Sequence, residues 1–367
     1  MSPQARWRIR WTLLIGVWVL TFIPTLRSAQ GTPQVGGQVT VVTGSGTETR
    51  TIRLLGPSPL PRRLADMVMR VPSDNPLTVE KIALGRRLFF ETSLSVDRSV
   101  SCATCHDPKR AFTDERPLAV GVFERVGRRH SPALINRGFG QTQFWDGRAG
   151  SLEFQVLKPI EDKNEMDLPL EEAIARLAAD EYYRTAFEAV FERPVSAEDL
   201  SRALASYVRS IRSGDSPYDR FIDGEADALS AEQQTGLRLF RTKARCAFCH
   251  REPAFTDEQF WNTGVAWYVE PESEAGTFRD QGRFEIAGTS RLLGSFKTPT
   301  LREVARTAPY MHDGSLATLA DVVDFYDNGG RPNPHLTPLV RPLFLTTGEK
   351  QALIKFLESL NGVVTAK

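Results

Sequence analysis

Cys102-Ala103-Thr104-Cys105-His106 and Cys246-Ala247-Phe248-Cys249-His250 hold all four cysteines of this 367-residue chain. C-x-x-C-H is the sequence in which a c-type haem is attached covalently. Two thiols three positions apart reach the two vinyl groups of one porphyrin as thioethers, and the adjacent His is thereby placed under the iron as its proximal ligand. The two motifs therefore predict two covalently bound haem c groups, with His106 and His250 on the irons. Two C-x-x-C pairs can also make a zinc site, but such pairs normally sit about 15 to 20 residues apart. Zinc also gives no reason for a His after both pairs. A disulfide framework fits poorly, because a chain of this length buries a core without staples.

The compartment follows from the N-terminus. Arg6, Arg8 and Arg10 precede an apolar run from Trp11 to about Ile23, the order of an export signal. Covalent haem attachment is an exported-protein chemistry in bacteria, so a periplasmic protein is expected. Ser28-Ala29 offers a cleavage site without a clean A-x-A, which leaves an uncleaved anchor as the second reading, although the run is short for a spanning helix. Lysine plus arginine (46) balances aspartate plus glutamate (45), so nothing points to a nucleic-acid partner.

Residues 31 to 56 read as an extended Gly/Thr-rich hairpin with Val39, Val41, Thr51 and Ile52 flanking a Thr43-Gly44-Ser45-Gly46 turn, an appendage outside the haem domains. A linker, Pro57 to Pro61, follows. Beyond it the chain repeats itself. Leu77-Thr78-Val79-Glu80 leads through Gly85-Arg86-Arg87-Leu88-Phe89 to the first motif and then Phe112-Thr113-Asp114. Leu229-Ser230-Ala231-Glu232 leads through Gly236-Leu237-Arg238-Leu239-Phe240 to the second and then Phe255-Thr256-Asp257. His106 and His250 lie 144 residues apart, the offset of a duplicated domain rather than of a short solenoid repeat.

Most of the remaining pattern is helical. Ser196-x-x-Asp199 resembles a capping box before Leu200, Ala203, Leu204, Tyr207, Val208 and Ile211 on one face. Thr318-x-x-Asp321 does the same for Leu319, Val322, Val323 and Tyr326, with Gly329-Gly330 as the stop. Thr346-x-x-Glu349 opens a last helix carrying Leu353, Ile354, Leu357 and Leu360. The expected class is all-α: two cytochrome c-like domains related by internal duplication, with a short N-terminal β-hairpin extension. The expected boundaries are an export segment over 1–29, an extension over 30–72, and haem domains over 73–225 and 226–367.

Five histidines limit the search for the irons' other ligands. With His106 and His250 used, His130, His312 and His335 remain. Met311 is the soft sulfur ligand that composition alone ranks first. Tyr326 lies on the apolar stripe of its helix, where an aromatic is usually core.

Phe144-Trp145-Asp146-Gly147-Arg148-Ala149, Phe296-Lys297-Thr298-Pro299-Thr300-Leu301-Arg302 and Thr307-Ala308-Pro309-Tyr310-Met311-His312-Asp313-Gly314, together with the two haem motifs, resemble the bacterial dihaem cytochrome c peroxidase and MauG family. The resemblance covers roughly residues 75 to 365. In the family's peroxidases the second haem's distal ligand is a Met fourteen residues after the His of the His-Asp-Gly-like motif, and in MauG-like proteins it is Tyr. Fourteen residues beyond His312 stands Tyr326, so the resemblance implies a His250/Tyr326 haem of the MauG-like subgroup. Peroxidases of the family carry a His in the loop after the first motif, whereas Pro117 to Arg129 contains none. The first haem is therefore expected to be open to peroxide.

The resemblance further places Trp145 between the haems as a redox relay, and Gln155, Pro159 and Glu165 in the distal pocket. Glu165 is then the acid/base that moves a proton between the peroxide oxygens, and Gln155 orients the bound oxygen. A buried core aromatic and solvent-facing helix residues are the plainer readings of these positions. Thr307 and Pro309 match positions whose carbonyls bind a calcium ion in the family, although His130 stands where many relatives have Asn, and imidazole is a poor ligand for a hard cation. His312 is expected to serve haem propionates and His335 to be exposed. The implied function is a dihaem oxidoreductase that uses hydrogen peroxide to form a high-valent dihaem state and oxidises a Trp or Tyr of a partner protein. Trp261, Trp267 and Tyr268 are candidates for carrying holes to the surface. The alternatives are a peroxidase fed by a small cytochrome or copper protein, and a non-enzymatic dihaem electron carrier.

Overall fold

The structure, a computed structural model, describes residues 67–270 and 275–366 together with the backbone of three short strands, Gly36–Gly37, Thr40–Val42 and Leu54–Leu55. The expected export segment and the linker from Pro57 to Pro61 lie outside the described residues. Among the described residues no helix is long and apolar enough to cross a membrane.

The described chain is helix-rich. Eight helices have six or more residues: α1 (Val79–Phe89), α2 (Leu170–Ala179), α3 (Glu181–Phe191), α4 (Ala197–Ser210), α5 (Pro217–Ile222), α6 (Ala231–Arg241), α7 (Leu319–Asp327) and α8 (Thr347–Glu358). Thr318 and Thr346 form full capping boxes with Asp321 and Glu349. Ser196 forms only half of one. Its hydroxyl accepts the Asp199 N–H at 3.1 Å, but the Asp199 carboxylate turns to Arg193 at 2.6 Å. The apolar face read for α4 is buried throughout, from Leu200 to Ile211.

Two cores are built alike. α1 packs on α4, and α6 packs on α8. A Cβ on Gly85 would stand 1.9 Å from the Ala203 carbonyl oxygen, and one on Gly236 would stand 2.0 Å from that of Ala352. The repeated glycine is therefore what lets each helix pair touch backbone to backbone. Behind each contact sits an aromatic trio. Phe89 lies 5.1 Å from Tyr207 and 6.1 Å from Phe112, between ring centroids; Phe240 lies 5.1 Å from Phe356 and 5.9 Å from Phe255. All six rings are almost wholly buried, each stabilising its core by roughly 2–3 kcal/mol.

Among the described residues sheet is confined to five two-stranded pairings of two or three residues per strand, so the all-helical expectation describes the cores and not the connections. In the N-terminal arm, Gly36–Gly37 pairs antiparallel with Leu54–Leu55, as a hairpin requires. Thr40–Val42, however, pairs in parallel with Val68–Arg70. The arm is thus not the separate appendage expected, since Val68–Arg70 carries Met69, buried with Val71, Phe139 and Ala254. The turn from Thr43 to Gly46 lies outside the described residues. Arg212–Gly214, after α4, pairs with Val363–Thr365 after α8, and buried Glu303 accepts hydrogen bonds from Ser213 Oγ and the Gly362 N–H. These contacts fasten the two cores together.

Candidate active site

Each haem motif forms one helical turn, and the His106 and His250 N–H groups donate to the carbonyls of Cys102 and Cys246 at 3.0 and 2.9 Å. The imidazoles are oriented identically. His106 Nδ1 lies 3.0 Å from the Phe112 carbonyl oxygen, and His250 Nδ1 lies 3.0 Å from that of Phe255. Both phenylalanines adopt left-handed backbone, φ 60° and 55°, which turns the carbonyl inward. A proton held on Nδ1 leaves the Nε2 lone pair free for iron. Burial pushes the His106 imidazole down to about 4 and lowers His250 also, so both are neutral donors.

Burial pushes the four thiols up, Cys105 to about 11 and Cys102, Cys246 and Cys249 to about 12. None is in a disulfide. Among the described residues no cluster of three or more His, Cys, Asp or Glu could hold a metal ion. The two motifs' cysteines are thus not gathered into one four-thiolate cluster, nor paired with each other.

One cavity of about 620 Å³ joins the two motifs. Its walls include Cys105, His106, Cys246, Cys249 and His250, while Cys102 packs against the first core. Arg245 lines it as well, and its Nε is buried with no hydrogen-bond partner among the described residues. An unpartnered Nε–H beside Cys246 suits an acidic cofactor edge. Two histidines with Nε2 left free, cysteines of both motifs and an unpartnered guanidinium N–H around one space fit two c-type haems.

Trp145, Gln155, Pro159 and Glu165 all face this cavity. Gln155 ends the turn Leu152–Gln155, and Pro159 lies in the turn Lys158–Glu161. Glu165 is half-buried, and burial, reinforced by the Asp162 charge and opposed by Arg148, pushes its carboxyl up to about 7. The loop from Pro117 to Arg129 packs directly on it. Val122 N–H donates to the Glu165 carbonyl at 2.8 Å, and a Cβ on Gly121 would stand 2.3 Å from the same oxygen. Arg125 anchors that loop through the Lys163 carbonyl at 2.7 Å and Asp167 at 2.6 Å.

Tyr326 and Met311 both line the cavity, as do Thr307, Pro309 and His312. Burial raises the Tyr326 phenol, with Cys249 and Cys246 adding to it. It is a neutral phenol unless a cation faces it, and ligand-bound iron is such a cation. His312 stacks on Phe296 at 3.6 Å, and burial pushes its imidazole down to about 4. His335 is half-buried against the Phe278 ring rather than exposed. Trp261 lines the cavity, whereas Trp267 packs on Phe278 and Tyr268 lies under Arg279.

Several contacts escaped the sequence. Trp145 Nε1–H donates to the His130 carbonyl at 2.8 Å, the His130 N–H to the His312 carbonyl at 2.7 Å, and the Lys297 N–H to the Trp145 carbonyl at 2.8 Å. His130 thus ties Trp145 to His312. Its ring is occupied elsewhere, Nδ1 with the Arg116 carbonyl at 2.8 Å and Nε2 with Thr113 Oγ1 at 3.3 Å, so it is not a cation ligand. Arg129 bridges Asp146 and Asp280 across the cavity mouth. Buried Lys297, near Thr142 and Glu258, is pushed down to about 7 by its burial and by Arg137. Lys297 stands in one of the quoted motifs, and Arg245 directly precedes a haem motif; those positions were the available signals.

The di-haem cytochrome c peroxidase family description matches residues 79–227. The methylamine utilization protein MauG of Methylorubrum extorquens is 38% identical over 79% of this chain and 80% of its own length. The cytochrome c551 peroxidase of Pseudomonas aeruginosa is 30% identical over 83% and 84%. A crystal structure of a MauG-like protein associated with microbial copper homeostasis superposes with a TM-score of 0.74 at 35% identity, over 80% of this chain and 93% of that one. With two haem motifs around one cavity and these relatives over most of its length, the chain belongs to the di-haem cytochrome c peroxidase and MauG family of haem-dependent, peroxide-using oxidoreductases.

Proposed function

We propose that this protein is a MauG-like enzyme of the periplasm, acting with hydrogen peroxide on a Trp or Tyr side chain of a partner protein. The bound haems would supply the redox chemistry, accepting two oxidising equivalents from peroxide. The chain's own groups do the rest. Glu165, held near 7, takes the proton from the incoming peroxide oxygen and returns it to the departing one. Gln155, on the same wall, orients the oxygens. Trp145, fixed at its indole N–H and its carbonyl, bridges the His106 and His250 sides. Tyr326 would be the residue that holds the His250 haem's iron from the other side, and the Thr307 and Pro309 carbonyls would hold a calcium ion. The repeated glycine contacts and aromatic trios support an all-α fold of two duplicated domains, 73–225 and 226–367.

The observation that carries this reading is the loop from Pro117 to Arg129. It packs on Glu165 and has no His, Met, Cys, Lys or Tyr to occupy the first iron. The test is to mix the fully oxidised protein with stoichiometric peroxide. Immediate reaction, with electron paramagnetic resonance showing one high-spin and one low-spin ferric haem, is expected. Inertness until prior reduction would favour the peroxidase fed by a small electron donor, and two low-spin haems would favour the electron carrier.

A further inference from the structure

Beside the main cavity opens a second recess of about 440 Å³, lined by Phe144, Arg148, Phe154, Lys158, Glu161 and Asp162. Phe144, Arg148 and Asp162 line both spaces. Glu165 feels the charges of Asp162 and Arg148, so the shared wall has the proposed proton carrier on its inner side.

The recess is not built for a molecule as small and polar as hydrogen peroxide. Its charges are answered from within: Arg148 by Asp146 at 3.0 Å, Lys158 by Glu161 at 3.2 Å, and Asp162 by the Asn164 N–H at 2.8 Å. What the recess leaves open to solvent is one aromatic ring. Phe154 is 52% exposed although its neighbour Leu152 is buried, and the Lys158 ammonium sits 5.0 Å from its ring centroid. Phe144 is held at φ 67°, a conformation that a side chain adopts at a cost, with the Arg148 guanidinium stacked 3.5 Å from its ring. An exposed phenyl ring on a recess that shares a wall with the cavity of an acid/base group suits an apolar tail with a reactive polar end.

We propose that this vestibule binds the organic part of alkyl hydroperoxides, ROOH, with the –OOH end directed through the shared wall toward Glu165, so that the substrate class extends beyond hydrogen peroxide. The inference rests on the peroxide-using reading above and adds its substrate range. The net step is ROOH + 2 H⁺ + 2 e⁻ → ROH + H₂O. The O–O bond breaks and the hydroperoxide is reduced; Glu165 passes a proton to the departing RO⁻, and ROH leaves by the vestibule. The two electrons come from a Trp or Tyr side chain of the partner protein, which is thereby oxidised by two electrons and releases the two protons; the bound haems would relay them.

The test uses the holoprotein, cumene hydroperoxide and hydrogen peroxide in rapid mixing, with calorimetric binding of the unreactive product alcohol, 2-phenyl-2-propanol. Phe154→Ala is expected to slow the cumene hydroperoxide reaction and weaken alcohol binding by about three- to tenfold, the worth of one aromatic contact. Its reaction with hydrogen peroxide should stay within about twofold of the parent, because Phe154 is exposed and outside the machinery. Phe154→Leu, which keeps an apolar surface, should fall between. Cumene hydroperoxide that fails to react where hydrogen peroxide succeeds, or a Phe154→Ala that slows both alike, overturns the vestibule alone. A protein inert to both peroxides overturns the peroxide reading and the vestibule with it.

Discussion

Replacing Glu165 with Gln keeps its shape and removes its proton. In the folded chain this carboxyl titrates near 7 instead of its ordinary 4.5, because it is buried beside Asp162. A base must be ionised to accept the peroxide proton. About 1% of Glu165 is ionised at pH 5 and about 90% at pH 8, so the second-order rate constant with peroxide should rise roughly tenfold per pH unit and level off above 7. Glu165→Gln should flatten that profile and lower its plateau by about a hundredfold or more. Asp162→Asn should move the midpoint downward, and Arg148→Gln upward, because their charges push the carboxyl in opposite directions. Stability supplies an independent check. A carboxyl raised on folding binds its proton more tightly in the folded state, so its contribution is full below pH 4.5 and is lost as pH rises through 7. The gap corresponds to about 3 kcal/mol as an upper bound, roughly halved by water reaching the carboxyl through the cavity. Glu165→Gln should therefore melt higher than the parent at pH 8 and equally at pH 4. Rapid mixing across pH 5 to 9 reads the first effect and calorimetry the second. A Gln variant that retains an inflection near pH 7, or slows the reaction less than about threefold, would refute Glu165 as the proton carrier.

Tyr326→Met exchanges an oxygen for a neutral thioether, and should raise the potential of one haem by on the order of 100 mV in a redox titration while leaving the other in place; no movement would mean that Tyr326 only packs. Gly236→Ala and Gly85→Ala each force a Cβ to within 2.0 Å of a carbonyl oxygen on the facing helix. Each should cost about 3 kcal/mol in chemical denaturation, the upper end for overpacking, since backbone must move. Arg302→Met strips the two hydrogen bonds, 2.7 and 2.8 Å, that hold buried Asp219, and should cost about 3–5 kcal/mol. Adding Asp219→Asn should recover part of that loss, because no uncompensated charge is then buried.

What the sequence made legible follows from where the chemistry constrains residue type. Thioether attachment demands Cys and His at fixed spacing, so both motifs could be read directly, and the amphipathic stripe of α4 left its period in the chain. The repeated Gly85 and Gly236 were visible too, but their reason was not, since a close helix crossing is a relation between residues more than a hundred positions apart. Backbone acceptors are invisible in the same way. Phe112 and Phe255 stand out in the sequence only as matching members of the repeat, and it is their carbonyls that orient the imidazoles. The N-terminal arm misled because turn residues report local pairing only, and Thr40–Val42 found its partner at Val68–Arg70.

His130 shows how these levels meet. By composition it was a spare histidine and by position a doubtful cation ligand. Its ring is consumed by the Arg116 carbonyl and Thr113, while its backbone N–H and carbonyl link His312 to the Trp145 indole. The adjacent Arg129 closes the same assembly through Asp146 and Asp280. A loop with no iron ligand of its own is thereby fastened to Glu165 from its middle, through Val122, and to Trp145 at its C-terminal end, through the adjoining His130. Fixing that loop holds Glu165 and the indole in one frame, the preorganisation that the proposed reaction of the oxidised protein with peroxide would require.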